Sequence, residues 1–379
     1  MDIISYSTQC IEQDDIDGVV AILQGKFLAQ GAKVEEFEKA LSEYTGAKHA
    51  ITFNSATSAL FGAYSVSGIT QDDEVITTPI SFVATSNMLI ELGAIPVWCD
   101  IKMDGNIDEE KIEKLITLKT KAIVVVDFAG KPVAMQRIQE IAKKYDLLLI
   151  DDASHALGSS IKAEKIGSMA DMSIFSFHAI KPITTSEGGA VLTDNDAYAD
   201  KLRLIRSHGI TKKELWDSDM SSMGYNFRMT EVAASLGVTQ MKKLDRFIQK
   251  RDEIASYYYK RFKDRQLLFS TITLETNTVS SRHLFPILLN KNLSKYKKNI
   301  IQEMHAAMIN VQVHYKPIYQ NSFYKEKFGE VFLDAAEKFY EAELSIPCHQ
   351  KMSIDDAAFV ADTLLKILRR FTDQELLDA

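Results

Sequence analysis

Apolar residues fall in short runs along the first half of the chain, at 49–53, 74–77, 94–98, 122–128, 147–150, 173–177 and 190–193. Each run is too short for a helix and most are bounded by glycine, proline or acidic turns, which predicts strands. Between most of them lie stretches of helix length, 56–67, 82–92, 108–118 and 135–145. Such alternation predicts an α/β fold with a mostly parallel sheet of about seven strands, covered on both faces. Two helices precede it. One spans 14–23, with acids at its start where the helix dipole favours them, and the other runs through Val34, Phe37, Ala40, Leu41 and Tyr44 to a stop at Gly46. A long helix is expected over 230–251. The pattern then changes to helices at 254–262, 294–308, 334–344 and 354–371 around strands at 283–289 and 310–314, a smaller α+β unit. The expected division is a large domain over 1–245, N-terminal segment included, and a small one over 246–379.

Composition narrows the class. A chain of 379 residues with 46% hydrophobic and 25% charged content has enough apolar material for two globular cores. Its net charge of −8 argues against nucleic acid as a partner, though not against one small anion held by local cations. Cys10, Cys99 and Cys348 are odd in number and far apart, so neither a disulfide framework nor a metal site is expected. The opening residues lack a basic stretch followed by an apolar core, and no apolar run approaches membrane-spanning length. A soluble cytoplasmic protein is the expectation.

Candidate chemistry gathers at strand ends. Lys181 sits in a polar insert between two apolar runs, followed by Pro182 and then by Gly188-Gly189. A lysine held there and partly desolvated suits covalent chemistry on a cofactor aldehyde, with a solvated loop lysine as the plain alternative. Asp151-Asp152-Ala153-Ser154-His155 follows another run, beyond the carboxyl ends of the strands, where open α/β proteins bind ligands. One aspartate there suits a protonated pyridine nitrogen and His155 another edge of the same ring. A capping acid with a core histidine reads equally well. Asn54-Ser55-Ala56-Thr57-Ser58 opens a helix and offers amide groups and hydroxyls to a phosphate, as ordinary capping also would. Phe82 is placed to stack on a planar ring or to fill the core. Asn226 and Arg228 precede the 230–251 helix, as phosphate ligands or as plain capping residues. Neither a G-x-G-x-x-G nor a P-loop lysine pattern is present.

Taken together these segments resemble the fold-type I pyridoxal-phosphate enzymes, and among them the DegT/DnrJ/EryC1/StrS sugar aminotransferases, over nearly the whole chain. The resemblance implies that Lys181, in Ser176-Phe177-His178-Ala179-Ile180-Lys181, carries the cofactor covalently, with Ser176 on its phosphate. It places Asp152 at the ring nitrogen, His155 beside the ring oxygen and Phe82 on the ring face. Ser55, Ala56 and Thr57 form the phosphate turn, with Ala56 where the family has glycine. Asn226 and Arg228 match a loop that crosses into the partner's site in a homodimer with shared active sites. Further matches, including Val313-His314-Tyr315-Lys316-Pro317 and Ile346-Pro347-Cys348-His349, resemble the subgroup serving pseudaminic acid biosynthesis in bacteria that glycosylate flagellin. The implied partners are a UDP-linked 4-keto sugar, near Arg228, His314 and Lys316, and L-glutamate, which leaves as 2-oxoglutarate. Two other outcomes stay open. Related sugar dehydratases carry histidine at the lysine position, and a regulator would bind the cofactor without catalysis.

Overall fold

The computed structural model describes residues 3–378 except 213 and 215, with side chains up to residue 372. Seven strands form its central sheet: β1 (His49–Phe53), β2 (Glu74–Thr77), β3 (Ile95–Trp98), β4 (Thr120–Val126), β5 (Leu148–Asp152), β6 (Met172–Ser176) and β7 (Gly189–Thr193). Their spatial order is β1-β7-β6-β5-β4-β2-β3. From β6 to β3 all neighbours are parallel, while β7 runs antiparallel to both β6 and β1. The reversal has a local cause. The 177–188 connection contains no crossover helix, so the chain returns beside β6 in the opposite sense.

Helices cover both faces, which is why β6 and β7 are buried at every position. On one face Phe53, Val124, Ile150, Ile174 and Val191 pack with Leu60 and Tyr64 of helix Ala56–Val66 and Leu202 of helix Asp196–Arg206. On the other, Phe175 and Leu192 meet Phe37, Leu41 and Phe247, while Ile123, Val125 and Leu149 meet Ile138 and Ile141. Each such side chain contributes about 1.5–3 kcal/mol by its burial. Polar groups are left to the strand ends.

A second, antiparallel sheet of β8 (Phe269–Thr271), β9 (Phe285–Leu289) and β10 (Glu343–Ile346) lies downstream, in the order β8-β9-β10. Helix Leu244–Phe262 runs through both cores: Leu244, Phe247 and Ile248 pack in the first, Ile254, Ala255, Tyr258 and Phe262 in the second. The chain's opening residues pack on the second core too, through Ile4 and its bridge to Ile309.

Four elements differ from expectation. The 230–251 helix is two, Glu231–Met241 and Leu244–Phe262, offset where the Lys243 ammonium, 8% exposed, is drawn to Asp14 at 2.5 Å and Asp15 at 2.7 Å. The 108–118 helix is one turn, Glu109–Ile112, and a 3-10 turn, Glu113–Leu115, because a Thr117–Thr120 turn must lead into β4. Residues 310–314 form no strand; Gln312 makes one isolated bridge to Ser345. The helix expected to reach 344 ends at Ala342, and β10 follows. Glu343 and Leu344 favour helices in isolation, but pairing with β9 buries all four residues of β10. Among the described residues no helix is long and apolar enough to cross a membrane.

Candidate active site

The carboxyl end of β5 delivers Asp152, 4% exposed. Thr85 Oγ1 donates to its Oδ2 at 2.7 Å, and Ser154 Oγ and N–H donate to Oδ1 at 2.5 and 3.3 Å. Three donors hold the carboxylate in one orientation. It forms no ion pair among the described residues, so its charge is left for something else in the cavity. Asp151, one residue earlier, points to the other face of the sheet and is wholly buried, its carboxyl with no hydrogen-bond partner among the described residues. Burial, then the charges of Asp127 and Asp152, raise its carboxyl well above the ordinary range. Between the two candidates, Asp152 is therefore the one facing the cavity.

The β6–β7 connection presents Lys181 to the same cavity, half-buried. Its backbone is held independently of the amine. Lys181 N–H donates to the His178 carbonyl at 3.0 Å, Thr185 N–H to the Phe177 carbonyl at 2.9 Å, and Ser7 Oγ to the Ile180 carbonyl at 2.9 Å. Burial lowers the amine from its ordinary value to about 8, with the charge of Asp152 opposing.

Opposite the lysine, helix Ala56–Val66 begins at the cavity wall. Ser55 Oγ accepts the Ser58 N–H at 3.1 Å, while the N–H groups of Ala56 and Thr57 have no protein acceptor among the described residues. Two free donors at a helix start suit a phosphate. Ser176 Oγ lines the cavity as well, accepting weakly from His178 N–H at 3.4 Å. Close approach here depends on Gly189 rather than on position 56. A Cβ at 189 would stand 2.6 Å from Ala56 N and Cα, forcing the helix start away. Phe82 lines the cavity with 61% of its surface exposed, an aromatic face on which no ring is stacked among the described residues.

The far wall joins the sequence candidates His155 and His314 to His283, Tyr315 and Tyr6, which local sequence patterns do not single out. His283 Nε2 lies 3.5 Å from Lys181 Nζ, and its ring centroid is 4.4 Å from that of His155. Tyr315 Oη lies 3.2 Å from His155 Nε2, and Tyr6 and His314 complete the wall. Burial first, and Lys181 second, depress His155 and His283 well below the usual imidazole range and His314 to about 3. All three rings are thus neutral, and they add no positive charge beside the lysine. The Nδ1 atoms of His155 and His283 are buried without hydrogen-bond partners among the described residues. The cavity enclosed by these groups measures about 510 Å³.

Lys181, Asp152, His155, Ser55, Ala56, Thr57, Phe82, Ser176 and His314 are thus brought together. Asn226, Arg228 and Lys316 are not. Asn226 is exposed, with its carbonyl 3.4 Å from Asn54 Nδ2; Arg228 lines two surface depressions outside the cavity; Lys316 is exposed.

The residues present fit pyridoxal 5′-phosphate: an unpaired carboxylate for the ring nitrogen, an amine of lowered pKa, an unstacked phenyl face and a helix start with free amides. The comparisons agree. Residues 9–365 match the profile of the DegT/DnrJ/EryC1/StrS aminotransferase family. The UDP-4-amino-4,6-dideoxy-N-acetyl-beta-L-altrosamine transaminase of Campylobacter jejuni is 52% identical over 370 residues, 97% of this chain and 98% of that protein. Helicobacter pylori PseC, an aminotransferase involved in the biosynthesis of pseudoaminic acid, superposes with a TM-score of 0.95 at 45% identity, covering 97% of this chain and 100% of that one. A Streptococcus pneumoniae protein solved in a PMP-form and a PLP-form is 30% identical, with TM-scores of 0.93 and 0.92, coverage of 98% and 97% of this chain, and 99% of its own. The chain therefore belongs to the DegT/DnrJ/EryC1/StrS aminotransferase family, and its cofactor is pyridoxal 5′-phosphate.

Proposed function

We propose that the protein transfers an amino group from L-glutamate to C4 of a UDP-linked 2-acetamido-2,6-dideoxy-hexos-4-ulose, giving the UDP-4-amino sugar used in pseudaminic acid biosynthesis and 2-oxoglutarate. The observation that carries it is the Lys181–Asp152 pair facing one cavity, in a chain 52% identical along nearly its full length to a transaminase named for that amino sugar. Pyridoxal phosphate, when bound, supplies an electron sink and a carrier for the amino group. This chain's own residues do the rest. Asp152 holds a proton at the ring nitrogen, and the Lys181 amine takes a proton from the glutamate α-carbon and later returns one to sugar C4. A lysine at position 181, where related dehydratases have histidine, favours amine transfer over dehydration. Incubation with L-glutamate and the UDP-4-keto sugar is expected to give 2-oxoglutarate and UDP-amino sugar in equal amounts. Amination of another nucleotide-linked 4-keto sugar but not this one would overturn the substrate assignment.

The same reading includes a second copy of the chain. Among the described residues that line the cavity, Lys181 is the single Lys or Arg, yet the sugar brings a diphosphate. We infer that Asn226 and Arg228 serve the cavity of a two-fold partner. The apolar residues Val20, Leu23, Phe27, Met220 and Met223, each at least 41% exposed on or just beyond the first helix or near the Asn226 loop, support such an interface. Lys181→Ala and Asn226→Ala chains, each impaired, are expected to regain activity when refolded together. About half the dimers would be mixed, and about a quarter of all sites native. No gain over the average of the two variants would place Asn226 in its own subunit's site.

A further inference from the structure

Strand β10 sends Glu343 and Ser345 to the same side, two residues apart, toward the segment that carries His314. Ser345 Oγ lies 2.6 Å from Glu343 Oε1 and 2.9 Å from His314 Nδ1. The other carboxyl oxygen, Oε2, accepts the backbone N–H of His314 at 2.7 Å. All three side chains are buried, and the His314 ring lines the cavity that holds Lys181. With Nδ1 engaged by Ser345, the ring nitrogen left to the cavity is Nε2.

A serine hydroxyl carries one hydrogen, so this chain of three groups has two consistent arrangements. With Glu343 ionised, Ser345 donates to Oε1 and accepts from His314 Nδ1–H, which leaves Nε2 a bare lone pair. With Glu343 protonated, the proton sits on Oε1, because Oε2 must go on accepting the backbone N–H. Glu343 then donates to Ser345, Ser345 donates to Nδ1, and Nε2 carries the hydrogen. We propose that Glu343 is a positioning residue which, acting through Ser345, decides whether His314 offers the bound sugar a hydrogen-bond donor or an acceptor.

The groups facing Glu343 let it titrate. Lys297 approaches from helix Lys297–Ala306, its amine donating to the Tyr340 carbonyl; burial lowers that amine to about 8, against the charges of Glu343 and Glu341, so it titrates together with Glu343. Tyr315 faces it from the His314 segment, and β9 supplies only apolar side chains. Burial pushes the Glu343 carboxyl up to about 8, against the pull of Ser345, the His314 amide and Lys297. His314, lowered to about 3, stays neutral throughout, so a change of tautomer is the whole response. While Glu343 keeps its proton Nε2–H is a donor; as the pH rises and Glu343 ionises the donor is lost. A ketone and a diphosphate present acceptors, so the low-pH form is the one that suits the sugar, a step that rests on the proposed function.

The test uses holoenzyme labelled with 15N-histidine, in which ring-nitrogen shifts report the tautomer and His314 is assigned by its loss in His314→Gln. Wild type is expected to show Nε2–H at about pH 6.5 and Nδ1–H at about pH 9.5. Glu343→Gln should show Nε2–H at both, since its amide oxygen must face the backbone N–H and its NH2 must donate to Ser345. Ser345→Ala leaves Glu343 on that backbone N–H and cuts only the relay, so its tautomer should not respond to pH. Between neutral and alkaline pH the sugar half-reaction of wild type should fall about tenfold relative to Glu343→Gln, the loss of one hydrogen bond to substrate. Lys181 titrates in both proteins and cancels from that ratio. A wild-type tautomer that ignores pH, or a Glu343→Gln tautomer equal to wild type at alkaline pH, overturns the relay. A tautomer switch without a difference in the sugar step overturns the contact with the sugar. Failure to aminate the sugar at all would instead strike the proposed function and leave the tautomer result in place.

Discussion

Lys181→Ala is expected to give a folded protein that still takes up the cofactor by its phosphate end yet turns over about 10²–10⁴-fold more slowly in both half-reactions. The fold should survive because the loop is tied down by backbone and by Ser7, while the amine's one hydrogen-bond contact among the described residues is a long one, 3.5 Å to His283 Nε2. What is lost is a base of unusual strength for its pH. An amine lowered to about 8 by burial is uncharged in about one molecule in ten at pH 7, against about one in three thousand for an ordinary lysine. The neutral rings of His155, His283 and His314 put a wall beside that amine without a competing charge. Lys181→Arg separates base from charge: a guanidinium stays protonated at any working pH, so this variant should be as slow as the alanine one. Stopped-flow absorbance with glutamate alone, then with the keto sugar alone, reads the two half-reactions. Borohydride reduction followed by mass spectrometry should place the cofactor's mass on the Lys181 peptide in wild type and nowhere in the variant. Normal turnover in Lys181→Ala would remove the lysine from the chemistry altogether.

The parts of this site legible in sequence share one property: they sit where a strand ends and the chain must turn. Asp152, Lys181 and Ser55–Thr57 each follow an apolar run, and a polar group in that place is either a cap or a ligand contact. Resemblance to a family then chose between the two. The wall formed by His283 and Tyr315 had no such mark. His283 lies more than a hundred residues after Lys181, in Ser280-Ser281-Arg282-His283, and only the polar run ahead of the fully apolar β9 hints that these groups are buried together. Thr85 looked like any hydroxyl in the first turn of a helix, yet it holds Asp152. Glu343 was concealed more deeply, because glutamate before leucine reads as helix until β9 is there to pair with it. Arg228 is a different case: its place in the chain is plain, but the cavity it is proposed to serve belongs to another copy.

Asp152→Asn is expected to slow both half-reactions by a similar factor, about 10³. An ion pair at about 4 Å with an effective dielectric of about 20 is worth about 4 kcal/mol, and a barrier raised by that much costs about 10³ in rate. Asparagine should fit without distortion. Ser154 can go on donating to the remaining oxygen, and the Thr85 hydroxyl can turn to accept from the new NH2, because Ser81 Oγ, 2.8 Å away, can serve it as donor or acceptor. The shape is then kept and the charge is lost, so the ring nitrogen of the cofactor is no longer held protonated and carbanion character at the reacting carbon goes unrelieved in either direction of transfer. Asp151 supplies the control. Its carboxyl, raised well above the ordinary range by burial and by its acidic neighbours, faces away from the cavity and so does not meet the ring. Asp151→Asn should therefore leave both rates within a few-fold of wild type. Rapid-mixing rates for the two half-reactions in each variant decide the matter: a loss in Asp152→Asn confined to the sugar step, with glutamate unaffected, would take Asp152 away from the cofactor and make it a sugar contact.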